Sequence, residues 1–295
     1  MRLAVTGREG QVVASLLEVG QRRNDVEIIA VGRPQLDLTR PDTVIEALEA
    51  SRPDIVVSAA AYTAVDQAED EPDIAFAVNA VGAGKVAEAA ARLGVPVIHL
   101  STDYVFDGTG AGAYAETDAT VPRSVYGASK LAGEQAVAAV NPRHLILRTA
   151  WVYSPFGKNF VKTMLRLAAD RDEIAVVADQ RGNPTSALDI ADAILHSAAV
   201  VREDKTFDDY GIYHLVGTGE TNWSGFARHI LDTSRAFGGP YARVTDIATS
   251  DYPTKAKRPG NSRLSTAKFT TTFDWNAPDW RKSTQEVVLC LLRPA

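Results

Sequence analysis

The chain has 295 residues, 45% of them apolar, and a formal net charge of −6. That is enough apolar material for one large domain with a smaller one attached, and the acidic balance argues against a surface for nucleic acid or an acidic membrane, while leaving room for a local basic pocket. The single cysteine, Cys290, excludes an intrachain disulfide and a thiolate metal cluster within one subunit, and five histidines with no H-x-x-x-H pair give no reason to expect a structural zinc.

Residues 2–6 are short, apolar and β-prone, and M-R-L-A-V-T-G starts as a strand rather than as a signal peptide. No apolar run is seen that approaches the length of a bilayer span, so the expectation is a soluble, cytoplasmic protein with no membrane partner. Gly7 and Gly10 follow the strand at once, then Gln11, Val12 and a helical pattern. Strand, glycine turn and helix form the phosphate cradle of a dinucleotide fold: Gly7 for the tight turn, Gly10 for close backbone approach, and the helix N-terminus facing a diphosphate. Val13 stands where the usual third glycine would be, a change expected to alter packing more than chemistry.

V-E-I-I-A-V-G at 26–32 is the second predicted strand. It ends at Gly32 and Arg33 with no acidic residue at its tip. An acidic residue there binds a ribose 2′-hydroxyl, whereas an arginine can pair with a 2′-phosphate, so Arg33 leans toward NADPH or toward no strict choice. Asp37, in L-D-L-T with Leu38, is placed to reach the adenine side or to cap the next helix. D-I-V-V-S-A-A at 54–60 has the apolar continuity of a strand buried on both faces. Ala59, Ala60 and Ala61, then Tyr62 and Thr63, end it, and small residues let a flat cofactor lie against the backbone. The acidic run Asp66, Glu69, Asp70 and Glu71 is predicted to be a solvated helix start, with a helix from Val78 to Leu93 and a strand at 95–100. Strand–helix alternation over residues 2–100 predicts an α/β fold, a Rossmann-type parallel sheet with helices on both faces.

The strand at 95–100 delivers Ser101, Thr102 and Asp103 at its carboxyl end, where such sheets place their ligands. Further on, V-Y-G-A-S-K sets Tyr126 and Lys130 four residues apart, on one face of a helix. A nearby cation favours phenolate, so Lys130 is expected to lower the Tyr126 pKa and make it a proton donor or acceptor usable near neutral pH.

Several strings together resemble one family. They are G-R-E-G-Q-V at 7–12, L-D-L-T at 36–39, A-A-A-Y-T-A-V-D at 59–66, S-T-D-Y-V-F-D-G at 101–108 and Y-G-A-S-K at 126–130. L-R-T-A-W-V-Y at 147–153, G-N-P-T at 182–185 and R-P-G-N-S-R-L at 258–264 complete the series in order over essentially the whole chain. The chain thereby resembles the dTDP-4-dehydrorhamnose reductases of the extended short-chain dehydrogenase/reductase superfamily. The resemblance implies Thr102, Tyr126 and Lys130 as the catalytic set, Asp103 and Trp151 on the substrate side, and NADPH or NADH as cofactor. Some relatives dimerise through Mg2+ held by glutamates, one of them shortly after the glycine loop. Ser15 stands at that point here and the tail L-L-R-P-A carries no acid, which argues against a bound Mg2+ and leaves monomer and homodimer both open.

In the second half, H-L-I-L-R-T-A-W-V-Y at 144–153 is a predicted strand whose end places Trp151 at a sugar or base pocket. Asn159 and Phe160 begin a helix to about Ala169, with Asn159 counted on the substrate side. A helix follows Thr185, a short strand spans 211–216, and helices cover 225–237 and 279–291. The segment 241–272 is expected to be loop-rich and holds the basic cluster Lys255, Lys257, Arg258 and Arg263. Arg258 is the candidate diphosphate clamp, because a guanidinium engages phosphate in a bidentate way, with Asn261 beside it. Residues 1–150 are then mainly the cofactor domain and 151–295 mainly a substrate lobe, with some crossing back. The implied reaction is reduction of the C4 ketone of dTDP-4-dehydro-L-rhamnose. The alternatives are reduction of another nucleotide-linked 4-ketosugar and a non-catalytic NAD(P)-binding regulatory subunit; an epimerase or dehydratase would instead retain NAD+ through its cycle.

Overall fold

The computed structural model describes residues 1–293; Pro294 and Ala295, the end of the L-L-R-P-A tail and of the predicted second lobe, lie outside the described residues. Strand β1 (Arg2–Thr6) is followed by α1 (Gln11–Gly20), β2 (Glu27–Val31), α2 (Pro41–Ser51) and β3 (Ile55–Ser58). Two short helices, α3 (Val65–Ala68) and α4 (Pro72–Phe76), lead through a π-helical turn at Ala77–Gly82 into α5 (Ala83–Arg92). Then come β4 (Val97–Thr102), α6 (Val125–Val140) and β5 (His144–Thr149).

These five strands and a sixth from the second half form one parallel sheet. Between them lie β6 (Val152–Tyr153), α7 (Phe160–Asp170), β7 (Glu173–Val177), β8 (Arg181–Gly182), β9 (Thr185–Ser186) and α8 (Ala187–Glu203). The sixth strand is β10 (Gly211–His214), and the order is β10-β5-β4-β3-β1-β2. The order reverses between β1 and β3, so a crevice opens there at the carboxyl ends of the strands.

Alternation along the strands divides the core. Leu3, Val5, Val57, Ile98 and Leu147 face α1 and α8, while Ala4, Val56, Val97 and Ile146 face α2 and α5. Both sets are buried, which explains why Leu3–Val5 of β1 and Ile55–Val57 of β3 are apolar without a break, while β4 carries buried polar residues at His99, Ser101 and Thr102. Each such leucine, isoleucine or valine contributes about 1.5–3 kcal/mol on burial.

The remaining elements are β11 (Thr221–Asn222), α9 (Trp223–Ala236), β12 (Arg243–Ile247), β13 (Asn261–Ser262), α10 (Ala267–Phe273) and α11 (Trp280–Leu292). A separate core lies beneath them, with Tyr153, Val161, Phe226 and Trp280 at its centre. Helix α8 returns to pack on α1, and β10 pairs in register with β5.

Two expectations need correction and one needs filling in. Residues 241–272 are loop-rich, as expected, but they also hold β12, which pairs in parallel with β7 over five residues, and then β13 and α10. R-V-T-D-I escaped notice because none of its residues is fully buried, so it lacks an apolar stripe. The helix expected from Val78 starts at Pro72. It runs on to Arg92 and is long and apolar enough, by length and composition, to cross a bilayer. Half of that stretch is buried inside the protein, and it packs against α6 and α2. The acidic run remains partly solvated, with Asp70 exposed, but its carboxylates are engaged rather than free. Glu69 accepts from the Val125 N–H at 2.9 Å, Glu71 from the Tyr62 hydroxyl at 2.6 Å, and Asp66 and Asp70 hold Arg258 and Lys255.

Candidate active site

Strand β1 ends at Thr6, whose buried hydroxyl accepts from the Ala59 and Ala60 N–H groups, 3.0 Å each. This bond ties the end of β3 beneath the glycine turn. Gly7 has φ +103°, a conformation costly to any side chain, and its N–H is tied to Val31 at 2.8 Å. Helix α1 begins at Gly10 with no side-chain cap, so its first N–H groups, at Gln11 and Val12, remain free to meet an anion. Val13, 2% exposed, packs under the turn, its Cγ2 at 3.4 Å from where a Gly7 Cβ would stand.

The turn opens into a cleft of about 690 Å3 that runs across the carboxyl ends of β1, β3, β4 and β5. Gly7, Gly10, Gln11 and Val12 line one end, with Arg33 at the rim. Ala59, Ala60, Ala61 and Thr63 form its floor. An adjoining hollow of about 560 Å3 is lined by Arg33, Asp37, Leu38 and Tyr62. The Asp37 carboxylate accepts from the Thr39 N–H and hydroxyl, which holds its pKa below the usual carboxylate range. The Tyr62 phenol donates to Glu71, which pushes its own pKa up to about 12.

The far end of the cleft holds Thr102, Asp103, Tyr126, Lys130 and Trp151. Thr102 is the last residue of β4. Its hydroxyl donates to Asp103 Oδ1 at 3.0 Å and accepts from the Tyr104 N–H at 3.2 Å. Tyr126 sits in the first turn of α6, which Ser124 caps by accepting from the Gly127 N–H. Burial raises the Asp103 pKa to about 6, against the pull of the Ser262 and Thr102 hydroxyls.

The expected effect of Lys130 on Tyr126 is not found. Burial, reinforced by the charge of Asp103, pushes the phenol well above its ordinary value, and the Thr102 hydroxyl only partly offsets this. Lys130 itself is 3% exposed, and its ammonium is bound to the Leu100 carbonyl at 2.6 Å and to His99 Nε2 at 3.3 Å. Desolvation lowers its pKa to about 8. The i,i+4 spacing places both residues on one face of α6, but the cation is tied to β4, and loss of water governs the phenol.

Two buried polar atoms in the cleft, Asp103 Oδ2 and Thr149 Oγ1, have no hydrogen-bond partner among the described residues. With the free N–H groups of α1 and the alanine floor, they make a cleft suited to a flat, anionic, hydroxyl-rich ligand. A nicotinamide dinucleotide, which the fold implies, fits these residues.

Three predicted site residues line neither this cleft nor the adjoining hollow. Asn159 caps α7, and its amide donates to Gln11 Oε1 and to the Ser154 and Phe156 carbonyls. Asn261 donates to the Gly110 and Gly112 carbonyls and accepts from Arg263. Arg258 pairs with Asp66 at 2.8 Å and reaches the Tyr104 hydroxyl at 3.4 Å, at the margin of the cleft.

Other residues of the site carry weaker signals in the sequence. Gly157 and Lys158, in the S-P-F-G-K spacer, face the cleft opposite the glycine turn; a glycine and a base just after a strand end were the available cue. Trp151 has φ +48°, unusual for a bulky residue. Its ring stacks on Trp223, centroids 3.7 Å apart, and Gly182 leaves room for it: a Cβ there would stand 2.6 Å from the indole. Nothing in T-N-W-S announces that stack.

Residues 1–292 match the family described as RmlD substrate binding domain. The chain is similar to the dTDP-4-dehydrorhamnose reductase of Sinorhizobium fredii, with 53% identity over 99% of this chain and 98% of the relative. Among solved structures it is similar to a dTDP-4-dehydrorhamnose reductase from Clostridium acetobutylicum (TM-score 0.90, 35% identity, 99% of this chain and 100% of the other). It is also similar to one from Bacillus anthracis solved in complex with NADP, with TM-score 0.89, 35% identity and 98% of each chain covered.

Proposed function

The chain belongs to the dTDP-4-dehydrorhamnose reductases, NAD(P)H-dependent oxidoreductases acting on a dTDP-sugar, and on that premise we propose that Thr102, Tyr126 and Lys130 reduce the C4 ketone of dTDP-4-dehydro-L-rhamnose to dTDP-L-rhamnose. The observation that carries this reading is the convergence of the three side chains on the same cleft as the uncapped glycine turn. Bound NADPH or NADH supplies the hydride.

Tyr126 gives its proton to the oxygen that becomes the alkoxide. Its raised pKa keeps the phenol protonated at neutral pH, the state a ketone reduction needs at the start. Thr102 donates a second hydrogen bond to that oxygen by turning its hydroxyl away from Asp103 Oδ1. Lys130 keeps a positive charge beside the reacting end and binds the nicotinamide ribose.

At the other end, the Gln11 and Val12 N–H groups receive the cofactor diphosphate. Arg33 meets the adenosine ribose or its phosphate, and Asp37 and Leu38 border the adenine. Ala59, Ala60, Ala61, Tyr62 and Thr63 give the flat surface against which the cofactor lies. Trp151 and Asp103 contact the sugar nucleotide. Arg258 reaches a substrate diphosphate only by giving up Asp66, while Asn159 and Asn261 brace the loops of the site. Residues 1–150 hold mainly the cofactor and residues 151–295 mainly the substrate, with α8 and β10 returning to the sheet. A cytoplasmic monomer or homodimer fits this reading.

Absorbance at 340 nm tests it, with purified protein, NADPH or NADH, and enzymatically made dTDP-4-dehydro-L-rhamnose. The expected result is oxidation that requires the ketosugar and yields dTDP-rhamnose. Cofactor binding without oxidation would reject it.

Gly182→Ala tests the substrate side. The added Cβ meets the Trp151 indole at 2.6 Å, and that ring cannot retreat from the Trp223 stack without a larger shift. The expected result is a rise of about tenfold in KM for the dTDP-sugar, roughly 1.4 kcal/mol, with the NADPH dissociation constant unchanged. Unchanged KM would remove Trp151 from the pocket.

A further inference from the structure

Lys130 is an ammonium buried between α6 and β4, and something must make a charge tolerable there. Its Nζ lies 2.6 Å from the Leu100 carbonyl and 3.3 Å from His99 Nε2. His99 is itself 1% exposed, and its Nδ1 lies 3.0 Å from Ser58 Oγ, on the neighbouring strand β3. We infer that His99 is a positioning residue for Lys130: as a neutral imidazole held by Ser58, it accepts from the ammonium and leaves one N–H of the three for a ligand in the cleft. This rests on the reading above, that Lys130 acts as a cation.

An ammonium only donates, so Nε2 must accept and the imidazole proton must sit on Nδ1. Nδ1–H then donates to Ser58 Oγ, which fixes the tautomer and the ring. The electrostatics agree with this assignment. Burial, and then the charge of Lys130, hold the His99 pKa well below its ordinary value, so the ring stays neutral.

Lys130 thus keeps two of its N–H groups on β4, one on backbone and one on His99, and its third remains for the cleft. An apolar residue at position 99 would fill the same space between β3, β4 and α6 but would accept nothing.

The charged groups around Lys130 set the direction of the effect. From α6 itself, Glu134 favours the ammonium, while burial opposes it and brings the pKa to about 8. Arg148 on β5 is engaged by Glu134 at 2.7 and 2.9 Å. Asp103 and Tyr126 stand beyond the end of β4 on the cleft side. A hydrogen bond to the charged form raises the pKa of a base. Removing the His99 acceptor therefore lowers the Lys130 pKa, and the cation is lost at lower pH.

The test compares His99→Leu, His99→Gln, Ser58→Ala and Lys130→Met with the parent enzyme, reading the pH profile of turnover, the NADPH dissociation constant and the melting temperature. His99→Leu should move the alkaline limb of the profile down by about one unit and weaken NADPH binding several-fold. His99→Gln, whose amide oxygen can replace Nε2 as acceptor, should restore the limb to the parent position. Ser58→Ala, which frees the tautomer without removing the ring, should give a smaller shift in the same direction.

Leucine and glutamine variants with the parent limb, differing only in melting temperature, would make His99 core packing and overturn the inference. Should the leucine variant not fold, a parent-like limb together with unaltered NADPH binding in Ser58→Ala would overturn it equally. Lys130→Met separates the two levels of argument. If it keeps the turnover and profile of the parent, the role of Lys130 fails. If it loses turnover while the His99→Leu limb stays in place, only the role of His99 fails.

Discussion

Tyr126→Phe should lower turnover about a thousandfold, within the range of about 10²–10⁴ typical for loss of a positioned general acid. The substitution removes one oxygen from a half-buried ring and leaves its packing intact: the edge-to-face contact with Tyr104, centroids 5.4 Å apart, needs only the ring. Fold and cofactor affinity should therefore survive, and the NADPH dissociation constant should stay within about a factor of two. The raised pKa sharpens the expectation. A phenol that holds its proton through neutral pH is ready to donate, and transfer to a forming alkoxide is downhill. Because the phenol sits well above 10, its own deprotonation should not limit the parent enzyme between about pH 6 and 9; a limb in that range belongs to Asp103 on the acid side or Lys130 on the alkaline side. Single-turnover measurements with saturating NADPH and dTDP-ketosugar would decide the matter. A variant that keeps more than about a tenth of the parent rate would assign the proton to another group, with Asp103 next in line because its pKa of about 6 leaves a protonated fraction near neutrality.

The sheet and the cofactor end of the site were legible in the sequence because their signals are local. An apolar strand that runs into Gly7, three successive alanines after β3, and a hydroxyl pair at the end of β4 each lie within a few residues, and the parallel topology carries them to one cleft. The misread features depend on partners distant in the chain. Asp66 and Arg258 are 192 residues apart, so the acidic run looked like a solvated helix start and Arg258 like a diphosphate clamp, although the two side chains pair with one another. The strand at Arg243–Ile247 exists because the edge of β7 offers it a partner. The Tyr126–Lys130 coupling failed for a different reason: spacing on a helix gives the face but not the solvent, and burial decided both pKa values. One signal was present but unused. Glu134 continues the stripe of Tyr126 and Lys130 by one more turn, and a carboxylate there faces the sheet.

That carboxylate sets up the largest expected loss of stability. Glu134 is 2% exposed and binds Arg148, also 2% exposed, through both oxygens at 2.9 and 2.7 Å, while the Ser101 hydroxyl donates to it at 2.5 Å. The cluster joins α6, which carries Tyr126 and Lys130, to β4 and β5. Glu134→Ala should cost about 3–5 kcal/mol, because it leaves the Arg148 guanidinium buried without its partner, and a buried charge lacking compensation is far worse than no charge at all. Among the described residues Arg148 has no other carboxylate partner: its Nη1 is without a hydrogen bond, and its guanidinium lies over the Phe106 ring, 5.1 Å from the centroid. The cost thus comes from the stranded cation rather than from the strength of the pair, and a second variant separates the two. Replacing both residues, as Glu134→Leu with Arg148→Met, removes the charges together and should recover most of the lost stability. Turnover should not recover with it, because Glu134 also favours the charged form of Lys130, so the double variant should fold yet show an alkaline limb moved to lower pH. Urea titrations of the parent, the single and the double variants read the stability, and a loss below about 1 kcal/mol in Glu134→Ala would show that water reaches Arg148 and that the cluster does not hold the catalytic helix to the sheet.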